Sequence, residues 1–373
     1  MTMRLATFNV ENLFERAKAM NLGDWAQGAT ILDDFKQLNE WIQCDIYTQE
    51  IKSQLLTIME RHKGLLTKGE STFIRLREIR GKLIARPKNK PIEIAVSGRN
   101  EWIGWFELEK EPIKRKSIEN VARIIGLLET DVLCVIEAEN RIGLNHFNQD
   151  VLSYIEITPF DHVMLIDGND TRGIDVGLMT KSPYEITEIR SHVDDTDEIG
   201  TIFSRDCAEY KVKTAQGNTL LLLVNHFKSK GYGSFNESKA KRLRQATRVR
   251  DIYETRLSEG FHYIAVVGDL NAAPNESSMD PLIREDSTLT DIMNHPKFLG
   301  DNRFGTHGNG TASAKLDYIM MSPKLFEKVE KGGIERRGVW GGKYGTLFPH
   351  LPTIETKNDA ASDHAALWVN LAI

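Results

Sequence analysis

Residues 263–274, YIAVVGDLNAAP, decide how this chain is to be read. Ile264, Ala265, Val266 and Val267 form a short apolar run of the kind that makes a strand buried on both faces. Gly268, Asp269 and Asn271 follow at once, so a carboxylate and an amide stand where such a strand leaves the core. Taken alone, these residue types describe an ordinary turn. The stretch gains meaning because other strand-like runs of the chain end in the same way.

Leu5 to Val10 reads as a strand ending in Asn9, Glu11 and Asn12. Asp131 to Ile136 ends in Glu137 and follows a helix with an apolar face of Ile118, Val121, Ala122, Ile125 and Leu128, for which Ser117 is the expected N-cap. Ala208–Thr214 and Thr219–Val224 flank Gln216-Gly217-Asn218 as a hairpin whose second arm ends in Asn225, His226 and Lys228. Lys315 to Met321 reads as a strand around Asp317, and Ser362-Asp363-His364 precedes the apolar run from Ala365 to Val369. Asp175–Thr180 is a further short strand, Glu185–Glu198 an acid-rich connection, and a basic helix is expected over about 237–257. Strands outnumber helices, which predicts a mixed sheet sandwich flanked by helices.

Residues 15–115 have another character. Ile31, Leu32, Phe35, Leu38, Trp41 and Ile42 follow a helical period, as do Ile51, Leu55, Ile58 and Met59. Ile92, Ile94 and Val96 alternate before a turn at residues 97–100, and a return strand from Trp102 to Leu108 would complete a hairpin. Between them, residues 61–90 carry ten Lys and Arg against two acids, Glu70 and Glu78.

Composition sets outer bounds. The 373 residues suit one large domain or two ordinary ones, and 48 Lys and Arg against 53 Asp and Glu give no global attraction to nucleic acid or anionic membrane. Cys44, Cys134 and Cys207 are too scattered for a disulfide framework or a thiolate metal site. The chain enters a strand pattern by Arg4 and has no long apolar stretch, so a soluble, cytoplasmic protein without a membrane span is expected.

Each polar strand end has a bland reading as a turn, a cap or a solvated surface acid. Their recurrence at six strand ends points to one site. Carboxylates, amides and histidines without thiolates suit a hard divalent cation, Mg²⁺ with Mn²⁺ as alternative, and a phosphate ester. A histidine with a carboxylate partner would stabilise charge on the phosphate or transfer a proton. No serine or cysteine has the setting of a nucleophile, which leaves direct attack by water.

In order, TFNVENLF (7–14), DVLCVIEAEN (131–140), RGIDVGL (172–178), VNHFKS (224–229), GDLNAAP (268–274), LDYIMMS (316–322) and SDH (362–364) resemble the motifs of the endonuclease/exonuclease/phosphatase superfamily. The resemblance spans residues 1–14 and about 117–373. It implies an α+β fold like pancreatic-type deoxyribonuclease, a four-layer α/β/β/α sandwich of two mixed sheets between helices. One catalytic domain, 1–373, would then carry residues 15–115 as a large N-terminal insertion.

The same resemblance implies roles. Glu137 would be the principal metal ligand with Asn9 beside it and Asp363 near the metal, while Asp269 would position or deprotonate water and Asn271 would hold a phosphate oxygen. His364, oriented by Asp317, and His226 would face the phosphate. Asn225, Lys228 and Arg172 would bind substrate. Ile136 stands where the family often has glutamine, which removes a polar neighbour of the metal ligand.

Superfamily members cleave DNA, RNA, inositol phosphates or sphingomyelin, so the fold leaves the substrate open. VNHFKSK followed by a basic helix resembles the bacterial nuclease-like branch, and the two basic clusters suit contacts to a phosphate backbone. A DNA-cleaving phosphodiesterase is therefore expected. A phosphatase or phospholipid phosphodiesterase and a non-enzymatic binding module are the alternatives. Trp102, Trp105 and Phe106 would fill the hairpin core or stack on bases, the core being the simpler reading.

Overall fold

Thirteen strands of the computed structural model form two sheets. The structure describes residues 2–11, 13–22, 25–170, 172–230, 235–284 and 286–373. In chain order the strands are β1 Met3–Asn9, β2 Val132–Ala138, β3 His162–Ile166, β4 Asp175–Thr180, β5 Glu185–Arg190, β6 Cys207–Lys213, β7 Thr219–His226, β8 Tyr263–Asp269, β9 Thr290–Asp291, β10 Phe298–Leu299, β11 Asp317–Met321, β12 Val329–Glu335 and β13 Ala366–Leu371. One sheet has the order β10-β12-β13-β1-β2-β4-β3 and the other β5-β6-β7-β8-β11-β9. Both are mixed: β1 runs parallel to β2 and antiparallel to β13, and β7 runs parallel to β8 while β8 opposes β11.

Alternating side chains build three apolar layers from these strands. Leu5, Cys134, Ile136, Val176 and Val369 of the first sheet meet Tyr210, Leu220, Leu222, Ala265, Val267 and Ile319 of the second in one buried cluster. The opposite face of β1 and β2, with Ala6, Phe8, Leu133 and Val135, packs on Val121, Ile124, Ile125 and Leu128 of helix α1, Arg115–Leu128. Leu221, Leu223, Ile264 and Val266 pack on Ala246, Val249, Ile252 and Tyr253 of helix α2, Phe235–Ser258. The strands are apolar on both faces because both faces are covered, and the result is the α/β/β/α sandwich expected from the sequence.

The register puts the polar strand ends on one rim. Parallel pairing of β1 with β2 and of β7 with β8 brings Asn9 beside Ile136 and His226 beside Asp269. Antiparallel β11 starts where β8 ends, with Asp317 opposite Asp269, and β13 starts just after His364.

The chain forms two compact units, one of Met1–Phe14, Ile113–Lys230 and Phe235–Ile373, the other including Glu15–Pro112. The second has its own core, in which Leu32, Phe35, Leu38 and Ile42 of helix Trp25–Ile42 meet Leu55, Ile58 and Met59 of helix Gln49–Arg61 and Ile74, Trp102 and Phe106. The hairpin expected there does not form. Residues 103–108 pair with Ile74–Arg80, and Glu93–Ile94 pairs with Ile84–Ala85. The missed partner is IRLREIR, whose outward arginines hide the alternation of Ile74 and Leu76 toward the core. Trp102 and Phe106 are buried, with Trp102 Nε1 donating to the Tyr47 hydroxyl at 2.8 Å, whereas Trp105 stays 42% exposed.

Three other sequence expectations need correction. Ser117 lies inside the first turn of α1 and donates to Ala360 O, while Lys114 takes the cap position. Glu185–Arg190 is an edge strand, its acids solvated because only one side pairs. The basic helix is not a free cationic face: Arg244 pairs with Asp197, Arg248 with Asp195, Arg250 with Glu254 and Asp286, and buried Arg242 with Glu276. Asp195 and Asp197 of the acid-rich connection supply part of the counter-charge of α2.

Arg256 completes this pattern by a two-pronged contact to Glu209, which also meets His192 Nε2 at 2.6 Å. Burial alone would push the Glu209 carboxyl up, but Arg256 and His192 outweigh it and hold it at about 2. The folded value lies below the ordinary 4.5, so this contribution is present above pH 4.5 and is lost as pH falls toward 2. It is on the order of 3 kcal/mol. Glu209→Gln should therefore flatten the fall of Tm between pH 5 and pH 2.5 in thermal melts, and an unchanged slope would contradict the assignment.

Candidate active site

Four residue types meet on the rim. Asn9 Nδ2 reaches Glu137 Oε1 at 3.3 Å and Asp269 Oδ2 at 3.2 Å. His226 Nε2 lies 3.4 Å from Glu137 Oε1 and 3.7 Å from Asp269 Oδ2. His364 Nδ1 is 2.8 Å from Asp317 Oδ2, and its Nε2 is 3.9 Å from Asp269 Oδ2. Asp269 is thus common to both groups. Asn271 holds it from behind, its amide donating to Oδ1 at 2.8 Å and its Nδ2 to Oδ2 at 3.0 Å.

Backbone strain fixes two of these side chains. Glu137 has φ 67° and Asn271 φ 50°, left-handed conformations that non-glycine residues adopt at a cost of order 1–3 kcal/mol. At Glu137 the cause is visible: Asp175 pairs with Ala138 and Val176 with Ile136, which leaves Glu137 as the extra residue of a bulge. A bulge re-aims its side chain out of the strand's alternation. Gly268, at φ 127°, has no alternative, since a Cβ there would sit 2.0 Å from Asn225 O.

Electrostatics differ sharply among the groups. Burial pushes the Asp269 carboxyl up to about 7, and the nearby Asp317 and Glu137 charges add to burial against the pull of His364. Burial also drives His226 well below its usual range, helped by Arg205 and Arg172. For His364 burial acts the same way but loses to Asp317, Asp269 and Asp363, which hold it well above that range. Two histidines of a single site are thus shifted in opposite directions.

Glu137, His226 and Asp269 offer ligand atoms within 4.8 Å of one another, as do Asp269, Asp317 and His364. Crowded carboxylate oxygens at the first group, with neither ring nitrogen of His226 hydrogen-bonded, fit a hard divalent cation. Asn9 stands differently from the expectation of a ligand: its Oδ1 accepts the Glu11 amide, so its nitrogen bridges the two acids. Asp363 groups with His307 and His364, and its amide donates to Glu11 Oε2. Asn225 is fully buried beneath the rim, Lys228 is tied at its backbone to Gln245 and Arg242, and Arg172 grips Asp170 through Nε and Nη2. Glu139 receives the amides of Leu13 and Phe14, and Asn12 lies outside the described residues.

Sequence reading missed Arg205 and His307. Arg205 is 1% exposed, 2.9 Å from Asp170 and donating to Phe227 O, the carbonyl that Asn271 Nδ2 also reaches. It is a buried cation behind His226, and nothing in SRDC marks it. His307 Nε2 lies 3.2 Å from Asp363, and its ring centroid is 4.8 Å from that of His364. Its sequence signal is weak, a histidine in a glycine-rich loop.

The family described as Endonuclease/Exonuclease/phosphatase family matches residues 93–333, more than half of the chain. No curated protein sequence matches it. Among solved structures, a Bacteroides thetaiotaomicron mannosyl-6-phosphatase is similar at 16% identity and TM-score 0.48, with 69% of this chain and 91% of that one covered. Truncated Caenorhabditis elegans TDP2 gives 15% and 0.48 over 68% and 89%, and the human nocturnin catalytic domain 15% and 0.48 over 70% and 88%.

Proposed function

Since the chain belongs to the endonuclease/exonuclease/phosphatase family, we propose that it hydrolyses phosphodiesters of nucleic acid, DNA first, by cation-assisted attack of water. The observation that carries the reading is the sharing of Asp269 between a cation-binding group with Glu137 and a proton-holding pair of His364 and Asp317. Glu137 and Asp269 would hold Mg²⁺ or Mn²⁺, with Asn9 bridging them. When bound, such a cation offsets negative charge on the phosphate oxygens.

The chain's own residues do the rest. Asp269, fixed by both donors of Asn271 and by Asn9, orients the attacking water and accepts its proton. Asp317 keeps His364 protonated, so Nε2–H is available to a phosphate oxygen. His226, neutral at 1% side-chain exposure, donates to the same phosphate without adding charge. Asp363 lies beside His364, with its carboxylate 3.7 Å from Nε2.

Residues 15–115 are read as an insertion within one catalytic domain. Among the described residues there, Lys63, Lys68, Arg80, Lys88 and Lys90 are exposed and face no carboxylate, which supports a polymeric anion as substrate. Charge reversal of Lys88 and Lys90 should weaken DNA binding and flatten its salt dependence in anisotropy titrations; an unchanged slope removes this segment from the binding surface. The neutralised arginines of α2 favour a second reading, a phosphatase acting on a small phosphate ester. Plasmid, single-stranded DNA, RNA and a sugar phosphate, each incubated with and without Mg²⁺ or Mn²⁺, separate the two. Cation-dependent strand cleavage is expected, and phosphate release from the sugar ester alone would establish the second.

A further inference from the structure

His307 touches Asp363 and His364, as above. Two residues on, Asn309 Oδ1 accepts the Gly342 amide at 2.8 Å, and Arg303 donates to Asn309 O at 3.1 Å and to Leu347 O at 3.3 Å. The loop of residues 338–350 is thereby joined to the His307 loop.

That loop is built to a fixed shape. Trp340 stacks on His350 with centroids 5.5 Å apart, and the guanidinium groups of Arg303 and Arg336 lie 5.6 and 5.3 Å from the centre of the Phe348 ring. Gly341 and Gly345 are left-handed, and a Cβ at either would strike the Phe348 ring at 2.5 Å or the Trp340 ring at 2.8 Å. What this framework leaves outside is Tyr344, 69% exposed, with Lys343 Nζ 5.1 Å from its ring centroid. Residues 300–314 and 336–350 carry four Lys and Arg, namely Arg303, Arg336, Arg337 and Lys343, against one acid, Asp301; Arg336 pairs with Asp301 and Arg337 with Glu335. Lys343 faces no carboxylate among the described residues.

We infer that Tyr344 and Lys343 form a stacking platform for an unpaired base next to the scissile phosphate, so that the substrate carries a single-stranded segment. The inference rests on the nucleic-acid reading above. A flat exposed ring with a cation at its side, on a rigid loop joined to the site, matches a base and its phosphate. A lipid surface would call for a contiguous apolar tip, whereas Tyr344 is flanked in sequence by Lys343 and Gly345, and the exposed Phe304 of the adjoining loop by Arg303 and Gly305.

The test compares kcat/KM on a short single-stranded oligonucleotide with that on the same strand carrying abasic positions. The wild type should prefer the base-bearing strand on the order of tenfold, Tyr344→Ala should erase that preference, and Tyr344→Trp should keep it. Equal preference in the wild type and Tyr344→Ala, or none in the wild type, overturns the platform while leaving the nuclease reading standing. Cleavage of neither strand, with cation-dependent hydrolysis of a sugar phosphate, sinks the nuclease reading and the inference together. Tyr344-dependent binding to phosphatidylserine vesicles without a base preference would also overturn it, in favour of a lipid.

Discussion

Glu137→Gln is expected to lower kcat/KM on any phosphate ester the protein cleaves by at least about 10³-fold with the fold intact. The substitution keeps the shape of a side chain whose backbone is held at φ 67° by a bulge, so geometry survives while one charge is lost. It also removes one of the carboxylates that crowd Asp269. Without added cation, Tm should hold or rise slightly, because like-charge repulsion in the site is relieved. The wild type should gain Tm on Mg²⁺ addition by mass action, and the variant should gain much less. A variant that retains both activity and the Mg²⁺-dependent gain would remove Glu137 from the cation site.

Asp317→Asn should cost roughly 10²–10⁴-fold in kcat and change the shape of the pH profile. His364 is held well above its usual range by Asp317 against burial, so the wild type keeps the imidazolium past neutrality. Removing the carboxylate lets burial prevail and lowers the pKa of the ring. The alkaline limb of kcat should therefore move to lower pH in Asp317→Asn, whereas a ring working as a neutral base would control the acid limb and leave the alkaline one in place. His364→Ala should lose a comparable factor in rate but show no alkaline limb from this group. If both variants keep the wild-type limb, the pair does not carry the proton.

The candidate site was legible where chemistry sits at strand ends. Asp269, His226, Asn9 and Asp317 each follow or open an apolar run, and parallel pairing of β1 with β2 and of β7 with β8, antiparallel β11 beside β8 and the packing of the two sheets gather them. Much of the layer architecture was legible for the same reason, since strands such as LLLLV and IAVV must be covered on both faces. What stayed hidden depends on partners distant in sequence. The bulge that aims Glu137 arises from its pairing with β4, and no residue type announces it. Arg205 is cationic yet buried because Asp170 lies 2.9 Å away, across thirty-five positions of chain. The arginines of α2 looked like a nucleic-acid face because their counter-charges, Asp195 and Asp197, sit in a separate connection.

Pairing of the strands in residues 15–112 was misread by a related limit. Alternation identifies a strand but not its neighbour, and Ile74–Arg80 was masked by arginines on its solvent side. Those arginines meet acids of the adjacent strand, Arg75 with Glu109 and Arg77 with Glu107, so part of the local positive charge is spent within the unit. Of the cations left for an external anion, all but Arg80 lie beyond this pair of strands, which is why the charge reversals above target Lys88 and Lys90.

The most direct test of the central claim is hydrolysis in water enriched in ¹⁸O, with cation supplied or chelated. Direct attack of water predicts one ¹⁸O on the phosphate of the product, formed only when Mg²⁺ or Mn²⁺ is present and lost with Glu137→Gln. Label absent from the product phosphate, or hydrolysis that proceeds equally under chelation, would contradict it.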